Sequence, residues 1–327
     1  MKSLKVIGID VSKEELDISI YNGEEHVLDS IENTCKSIQN YLDQWEDKKE
    51  NLHFVIEATG IYHLKLADLL YDNDFKVSVV NPLKIKKFGE MKMLRANTDI
   101  TASRKIAEYG YSQKPKLYEK TTKNRRKLVK IMKTIDGLKK TKNDNRNRLE
   151  SIKNDSIEYE DIEQQLENTI DQIEDSIKEL EAKARKLVEE NHSKKQEQML
   201  NIKGVGEVVS TAVIGYFGGF EDFDNAKQPV AYVGINPNPR ESGTSVKGEG
   251  NISKKGVKYL RSKLYMAALS ASKYNPSCKA LKERMEKRGK HHEKIRIAVA
   301  SKLLRQIFAV VKYDREWDPN YEKKFKS

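Results

Sequence analysis

Strand-like and helix-like segments alternate over roughly the first 112 residues. Apolar and β-branched residues predict strands at residues 4–10, 16–21, 26–31, 52–56 and 76–80. Helical spacing of apolar residues predicts helices at residues 38–45, 62–71 and 98–109. Three early strands followed by alternating helices and strands are the order of an RNase H-like α/β domain. A dinucleotide-binding fold is disfavoured, because no G-x-G-x-x-G motif follows the first strand.

The middle of the chain changes to a helical pattern dominated by charged residues. Apolar residues recur every seven positions at Tyr159, Leu166, Ile173, Leu180 and Leu187. Such a repeat is typical of a coiled coil. An apolar stripe upstream predicts a second helix, and Gly137 with the polar residues 143–147 predicts a bend between two antiparallel arms. A helical spacer and a dedicated oligomerisation arm both fit this pattern.

The sequence predicts three domains: a carboxylate domain at residues 1–115, a helical arm at residues 116–197 and a basic domain at residues 198–327. The third of these is predicted to be mostly α-helical. Helices are predicted at residues 208–217, 257–272 and 294–311, and the Gly- and Pro-rich residues 234–256 predict a long exposed loop. Lys203, Gly204 and Gly206 resemble half of a helix-hairpin-helix element, in which backbone N–H groups approach a phosphate. The alternative is an ordinary tight turn.

The charge of the chain indicates a polyanionic partner. The 327 residues carry a formal net charge of +11. The stretch from residue 240 to residue 312 alone holds 19 Lys and Arg against 5 Asp and Glu. This concentration favours DNA or RNA over a membrane surface. The two cysteines are too few for a disulfide framework, and no apolar run approaches the length of a membrane span, so we expect a soluble, cytoplasmic protein.

Three acids are candidates for a metal site. Asp10 and Glu57 each end a predicted strand, and these ends are neighbours in an RNase H-like sheet, while Asp99 follows on a later helix. Carboxylate oxygens suit Mg²⁺, which takes its remaining ligands from water and phosphate. Such a site activates an oxygen nucleophile and stabilises the leaving oxygen of a phosphodiester. The alternative is that each acid ends its strand facing solvent.

Short motifs along the chain resemble those of the insertion sequence 110 family of DEDD transposases. In the first domain these motifs lie at residues 8–13 (GIDVSK), 57–63 (EATGIYH), 79–82 (VVNP) and 97–99 (NTD). In the third domain they lie at residues 204–206 (GVG), 231–237 (AYVGINP), 241–245 (ESGTS), 252–256 (ISKKG) and 264–268 (LYMAA). The resemblance covers nearly the whole chain in the order of the family.

The resemblance implies a RuvC-like first domain, a coiled-coil connection and a third domain that carries a nucleophilic serine. It also implies a recombinase guided by a structured bridge RNA. The four acids of the family would fall at Asp10, Glu57, Asp99 and position 102, where this chain has Ala102. Positions 99 and 102 share a helix face, so an acid at position 102 would join the metal site. Either the natural site has diverged from the family, or an engineered Asp→Ala substitution at position 102 prevents the reaction. The intact flanking motifs favour the engineered substitution.

Ser242 is the candidate nucleophile, with Ser245 as the second choice, although a Gly- and Ser-rich loop that only caps a helix is the alternative. No histidine nearby would activate the hydroxyl. The family resemblance implies that the metal site of the first domain supplies the electrostatic help, so that the two domains must meet, either within one chain or between subunits. Basic residues around this loop are candidates for phosphate neutralisation, namely Arg240, Lys254, Lys255, Lys258, Arg261 and Lys263. A second basic cluster follows at Lys282, Arg284, Lys287, Arg288 and Lys290.

Three functions remain open at this point. The first is a transposase or recombinase that cuts and exchanges DNA strands with a magnesium site and a serine. The second is a RuvC-like endonuclease that hydrolyses branched DNA with water. The third is a nucleic-acid-binding scaffold without catalytic activity. It remains open because Ala102 removes an acid from the metal site, and a protein with an incomplete site could still bind nucleic acid and assemble. For the recombinase we expect a homo-oligomer, either a dimer or a tetramer, since two DNA partners must be cut.

Overall fold

The computed structural model describes residues 4–58, 60–92, 102–236, 240–242, 246–248 and 256–321, with the backbone alone described for residues 240–242 and 246–248. The chain divides into two compact units, Met1–Thr121 and Thr122–Ser327. The finer division of the second unit into an arm and a basic domain stays a prediction. In the described part of the chain, no helix combines the length and apolar character needed to cross a bilayer.

A five-stranded mixed sheet organises the first unit. Its strands are β1 (Lys5–Val11), β2 (Glu15–Tyr21), β3 (His26–Glu32), β4 (Leu52–Glu57) and β5 (Lys76–Val80). The strand order is β3-β2-β1-β4-β5, with β1, β4 and β5 parallel and with β2 antiparallel to both of its neighbours. The predicted strands are confirmed to within one residue at every end. The sheet and its helices are compatible with an RNase H-like domain.

Helices cover both faces of this sheet. Helices α1 (Cys35–Asp43) and α2 (His63–Asp72) pack on the face that includes Ile7 and Ile9. Helices α3 (Pro82–Met91) and α4 (Ala102–Gln113) pack on the opposite face. The alternation of side chains along β1 explains the two cores, because successive residues point to opposite faces.

Helix α3 was not predicted, although its start has a clear signal. The sequence was interpreted as a strand closed by Asn81 and Pro82, and both residues in fact begin a helix. The side chain of Asn81 accepts a hydrogen bond from the N–H of Leu83 at 2.9 Å. Pro82 occupies the first turn, where its missing N–H costs nothing.

Two long helices begin the second unit and pack side by side. They are α5 (Lys123–Lys153) and α6 (Glu160–Leu200). Salt bridges from Lys139 to Glu181 and from Lys153 to Glu167, both at 2.7 Å, show that the helices run antiparallel. The predicted bend at Gly137 and residues 143–147 is wrong, because α5 continues through both and the chain turns at residues 154–159. The buried side chain of Asn145 explains part of this continuity.

Five further helices follow among the described residues of the second unit. They are α7 (Glu207–Phe217), α8 (Lys227–Val233), α9 (Lys258–Tyr274), α10 (Pro276–Glu286) and α11 (His292–Lys312). Leu128 of α5 and Val188 of α6 share one hydrophobic core with these helices. Residues 234–256 are not a loop throughout, since β6 (Arg240–Ser242) and β7 (Val246–Gly248) form an antiparallel hairpin inside them.

Candidate active site and nucleic-acid surface

Asp10 and Glu57 lie at the same edge of the five-stranded sheet. β1 and β4 run parallel, and Ile9 pairs with Ile56, so the next residue along each strand is Asp10 or Glu57. Both side chains are partly buried. The sheet therefore brings together two of the three acids expected to bind metal. The third, Asp99, lies outside the described residues.

Burial and negative charge act together on these two carboxyl groups. Loss of solvation, and then the charge of Asp17, raise the pKa of Asp10, while a hydrogen bond with the backbone of Val11 opposes them. Loss of solvation, and then the charge of Asp10, raise the pKa of Glu57. A divalent cation between the two carboxylates would offset this repulsion, so the pair suits Mg²⁺. Within the described residues no three His, Cys, Asp or Glu side chains form a metal-binding group, so a complete site needs a further ligand.

Asp17 is an acid of this edge that sequence reasoning missed. It pairs directly with Asp10 in the antiparallel register of β1 and β2. Directly opposed residues point to the same face of a sheet, so the Asp17 carboxylate faces the side of Asp10. The signal was available, because a tight hairpin after residue 10 fixes which residue of the next strand lies opposite.

Helix α4 points its first residue toward the two carboxylates. Gly8 of β1 lies against Ser103 and Ala107 of α4, while Gly110 lies against Val6, which is farther from Asp10. The helix therefore runs back along β1, and its N-terminus lies toward the carboxylate edge. Ala102 is the first residue of this helix and is exposed. The helix N-terminus also favours negative charge nearby.

Glu108 holds α4 onto the sheet. Its carboxylate forms an ion pair with Lys92, at the end of α3, and lies 3.4 Å from His26 Nε2. The other ring nitrogen of His26 is 2.9 Å from the hydroxyl oxygen of the buried Ser19. The imidazole also stacks on Tyr21, with ring centroids 4.3 Å apart. Sequence reasoning missed this structural role of Glu108.

The predicted nucleophile lies on the short hairpin of the second unit. Ser242 ends β6 and pairs with Val246 of β7, and Arg240 begins β6. Ser245, Lys254 and Lys255 lie outside the described residues. The pairing places Ser242 at the end of a strand, whereas a long loop was expected from composition.

The glycine turn before α7 is shaped by packing. Gly204 has a φ of +98°, and a Cβ built on it would lie 2.6 Å from the backbone of Ala271 in α9. Only glycine accepts both conditions. Gly206 is exposed, and a Cβ there meets nothing within 4 Å. Lys203 is also exposed, so the open side of this turn carries Lys203 and Gly206, whereas Gly204 faces inward.

Three predicted phosphate contacts lie on α9 and differ in their surroundings. Lys258 is exposed in the first turn of the helix. Arg261 donates a hydrogen bond to the carbonyl oxygen of Val233 at 2.9 Å. Lys263 pairs with Asp136 of α5, so its charge is already matched within the protein. Lys258 is therefore the most available of the three.

Two models of one transposase family match the chain. A DEDD transposase model of the IS110 type matches residues 7–153, and a model described as "Transposase IS116/IS110/IS902 family" matches residues 196–283. Together they cover well over half of the sequence. The chain belongs to the IS110 family of transposases and is a DNA transposase or recombinase enzyme. DEDD transposases typically use divalent metal ions.

Full-length relatives carry a more specific name. The chain is 29% identical over 321 residues to a pilin gene-inverting protein of Moraxella bovis, covering 95% of this chain and 97% of the relative. It is similarly 29% identical over 325 residues to the pilin gene-inverting protein of Moraxella lacunata, with the same coverage. A shorter match, 24% identical over 114 residues, covers 35% of this chain and 28% of an insertion element IS110 protein of Streptomyces coelicolor.

Proposed function

We propose that this chain cuts and exchanges DNA strands by using a carboxylate magnesium site together with a serine nucleophile. The observation that carries the proposal is the meeting of Asp10 and Glu57 at one partly buried sheet edge. Asp99 would complete the ligand set, and an acid at position 102, on the helix that begins there, would add a fourth carboxylate. In this chain Ala102 leaves that position without a charge.

Asp10, Glu57 and Asp99 would hold Mg²⁺ and orient the scissile phosphate beside it. The bound ion would supply electrostatic stabilisation of the charge that develops on the attacking and leaving oxygens. The carboxylates themselves keep the site negatively charged, so that the ion is retained.

Ser242 would attack the phosphorus through its hydroxyl oxygen. A bond forms between Ser242 Oγ and phosphorus, and the bond from phosphorus to the 3′ oxygen of the neighbouring nucleotide breaks. The serine proton leaves to solvent or to a carboxylate, and the 3′ oxygen gains a proton. The products are a 5′ phosphate linked to the protein and a free 3′ hydroxyl. This step requires both units to act on one phosphodiester, within one chain or between chains of an oligomer.

The proposal includes partners that follow from the family resemblance. A structured bridge RNA would select the DNA sites, and a dimer or tetramer would hold two DNA partners. We assign the sheet unit to the RuvC-like class and α5 with α6 to the coiled-coil connection. Cytoplasmic action fits Cys35 and Cys278, which are both free thiols.

A strand-cleavage assay tests the carboxylate part of the proposal. The probe is a plasmid that carries the complete genetic element of this chain, so that native DNA ends and any encoded RNA are present. We expect Ala102→Asp to raise cleavage at least roughly tenfold in Mg²⁺, because it restores a ligand of the reacting ion. Adding Asp10→Asn or Glu57→Gln to that variant should abolish the gain.

The matched control is Asp29→Asn in the Ala102→Asp background. Asp29 is an exposed carboxylate on β3, at the far edge of the same sheet. Its loss should leave cleavage unchanged. If Ala102→Asp gave no gain, or if the gain survived the loss of Asp10, the carboxylate proposal would be wrong.

A further inference from the structure

Helix α5 is strongly basic, and its partner α6 is strongly acidic. Helix α5 carries 12 Lys and Arg against 3 Asp and Glu, whereas α6 carries 12 Asp and Glu against 6 Lys and Arg. Complementary charge between two paired helices would account for this contrast only if the basic residues faced the acidic helix. The positions of the side chains show that only some of the basic residues of α5 face α6.

The cations of α5 that face α6 are matched with carboxylates. Each of four basic residues forms a salt bridge to an α6 side chain, with N···O distances between 2.7 and 3.2 Å. These pairs are Lys139 with Glu181, Lys142 with Glu174, Arg146 with Glu174, and Lys153 with Glu167. Their charges therefore serve the contact between the two helices.

A second set of lysines lies on the opposite side of α5. With 100° per residue, four lysines lie about 100° or more around α5 from both of the buried residues Leu128 and Met132, and Lys140 lies at the border of that face, about 80° from Met132. We name this set the lysine ridge, and it consists of Lys123, Lys127, Lys130, Lys133 and Lys140. All five are exposed, and among the described residues no carboxylate lies within ion-pair distance of any of them. At 1.5 Å per residue the ridge is about 25 Å long.

An ordinary solvated helix face carries acids as well as bases. Helix α6 shows that pattern, since Lys178, Lys183 and Lys186 each pair with a carboxylate three or four residues away. Between Lys123 and Lys140 the only acid is Asp136. That acid is bound to Lys263 of α9 and does not neutralise the ridge.

We propose that the lysine ridge binds the phosphate backbone of double-stranded DNA outside the reacting phosphodiester. The charge of the ridge complements a polyanion, and DNA is the partner that the transposase family implies. A row of positive charge along one side of a long helix suits a stiff duplex, whose phosphates follow one another along a nearly straight axis. Lysine acts as a point charge, so the ridge would position DNA without selecting its sequence. This surface needs neither the metal site nor Ser242.

Equilibrium binding to duplex DNA tests the ridge. The probe is a fluorescent duplex of about 30 base pairs and mixed sequence, titrated at several salt concentrations in EDTA. The test variant is Lys127→Gln, Lys130→Gln and Lys133→Gln combined. The matched control is Lys178→Gln, Lys183→Gln and Lys186→Gln, which removes the same charge from exposed sites on α6.

The ridge variant should bind duplex DNA roughly tenfold or more weakly at low salt, with the log–log salt slope reduced by about 2 to 3. The control should keep the slope of the parent chain, and circular dichroism should show unchanged helix content in both variants. An unchanged slope in the ridge variant, or an equal fall in the control, would overturn the proposal.

A second probe separates DNA from RNA. The same variants are titrated with a structured RNA hairpin of similar charge. Loss of RNA affinity with intact duplex affinity would also overturn the proposal, because it would make the ridge an RNA surface. Because EDTA prevents metal-dependent cleavage, failure of the ridge and failure of the proposed chemistry give separate results.

Discussion

Gly8 of β1 lies so close to Ser103 of α4 that a Cβ built on Gly8 would stand 2.4 Å from the Ser103 carbonyl oxygen. It would also stand 2.2 Å from the backbone nitrogen of Ala107. Both contacts are with helix backbone, which cannot rotate away as a side chain can. This close approach lets α4 pack against β1 with its N-terminus toward the carboxylate edge. It explains why a glycine stands two residues before Asp10.

Gly8→Ala should force α4 away from the sheet. We expect a loss of about 1–3 kcal/mol in the free energy of unfolding, because overpacking a tight contact with backbone displaces whole elements. Urea denaturation followed by circular dichroism measures this loss. The control is Gly89→Ala in α3, where a Cβ meets nothing within 4 Å and alanine favours the helix. Equal stability of Gly8→Ala and the parent chain would show that α4 is not anchored at β1.

Asp10→Asn should stabilise the fold while it removes the metal site. Burial, followed by the charge of Asp17, raises the pKa of Asp10 in the folded protein. A raised pKa means that the folded state favours the protonated acid, so stability declines as pH rises through the folded pKa. At pH 7 the charged carboxylate therefore opposes folding, and the neutral amide removes that effect.

Thermal unfolding with and without Mg²⁺ measures both consequences. In EDTA, Asp10→Asn should unfold a few degrees above the parent chain, whereas Asp29→Asn should change little. Added Mg²⁺ should raise the Tm of the parent chain and leave that of Asp10→Asn unchanged. A lower Tm for Asp10→Asn in EDTA would contradict this account of the carboxylate edge.

His26 should make the fold sensitive to mild acid. Burial lowers the pKa of His26, although the neighbouring Glu108 raises it in part and Arg104 lowers it further. The unfolded chain therefore binds the proton more readily, so stability falls as pH drops through about 6.5. His26→Gln should lose less stability than the parent chain between roughly pH 7.5 and pH 5.5.

Urea denaturation at the two pH values measures the difference. The control is His292→Gln, at an exposed position that begins α11. This control should follow the pH dependence of the parent chain. The same pH dependence in His26→Gln and the parent would mean that protonation of His26 does not affect folding.

The strands and the two described acids could be predicted because their signals are local. Alternating apolar residues and an acid at each strand end are visible without knowledge of the fold. The position of Asp17 opposite Asp10 could not be predicted without the strand register. The ion pair of Glu108 could not be predicted without the position of α3. Asn145 was interpreted as part of a bend, but its side chain is buried and the helix continues through it, despite the weak helix preference of asparagine.

The basic residues of the last third of the chain were predicted from local charge, and their role in binding nucleic acid stays a prediction. One of these basic residues, Lys263, is matched by Asp136 in the structure. The exposed lysines of α5 were not predicted as a binding surface, since a sequence count cannot tell which face a residue occupies. Only the pairing of Lys139 with Glu181 and its equivalents separates the matched cations from the exposed ridge.

Detection of a covalent protein–DNA link tests the central claim most directly. The Ala102→Asp chain is mixed with end-labelled plasmid DNA of its own element in Mg²⁺, denatured, and separated on a gel. Labelled DNA should migrate with the protein, and it should also do so with Ser245→Ala added. With Ser242→Ala added, the linked species should vanish. Cleavage without any linked species, or a link that persists in Ser242→Ala, would contradict the account.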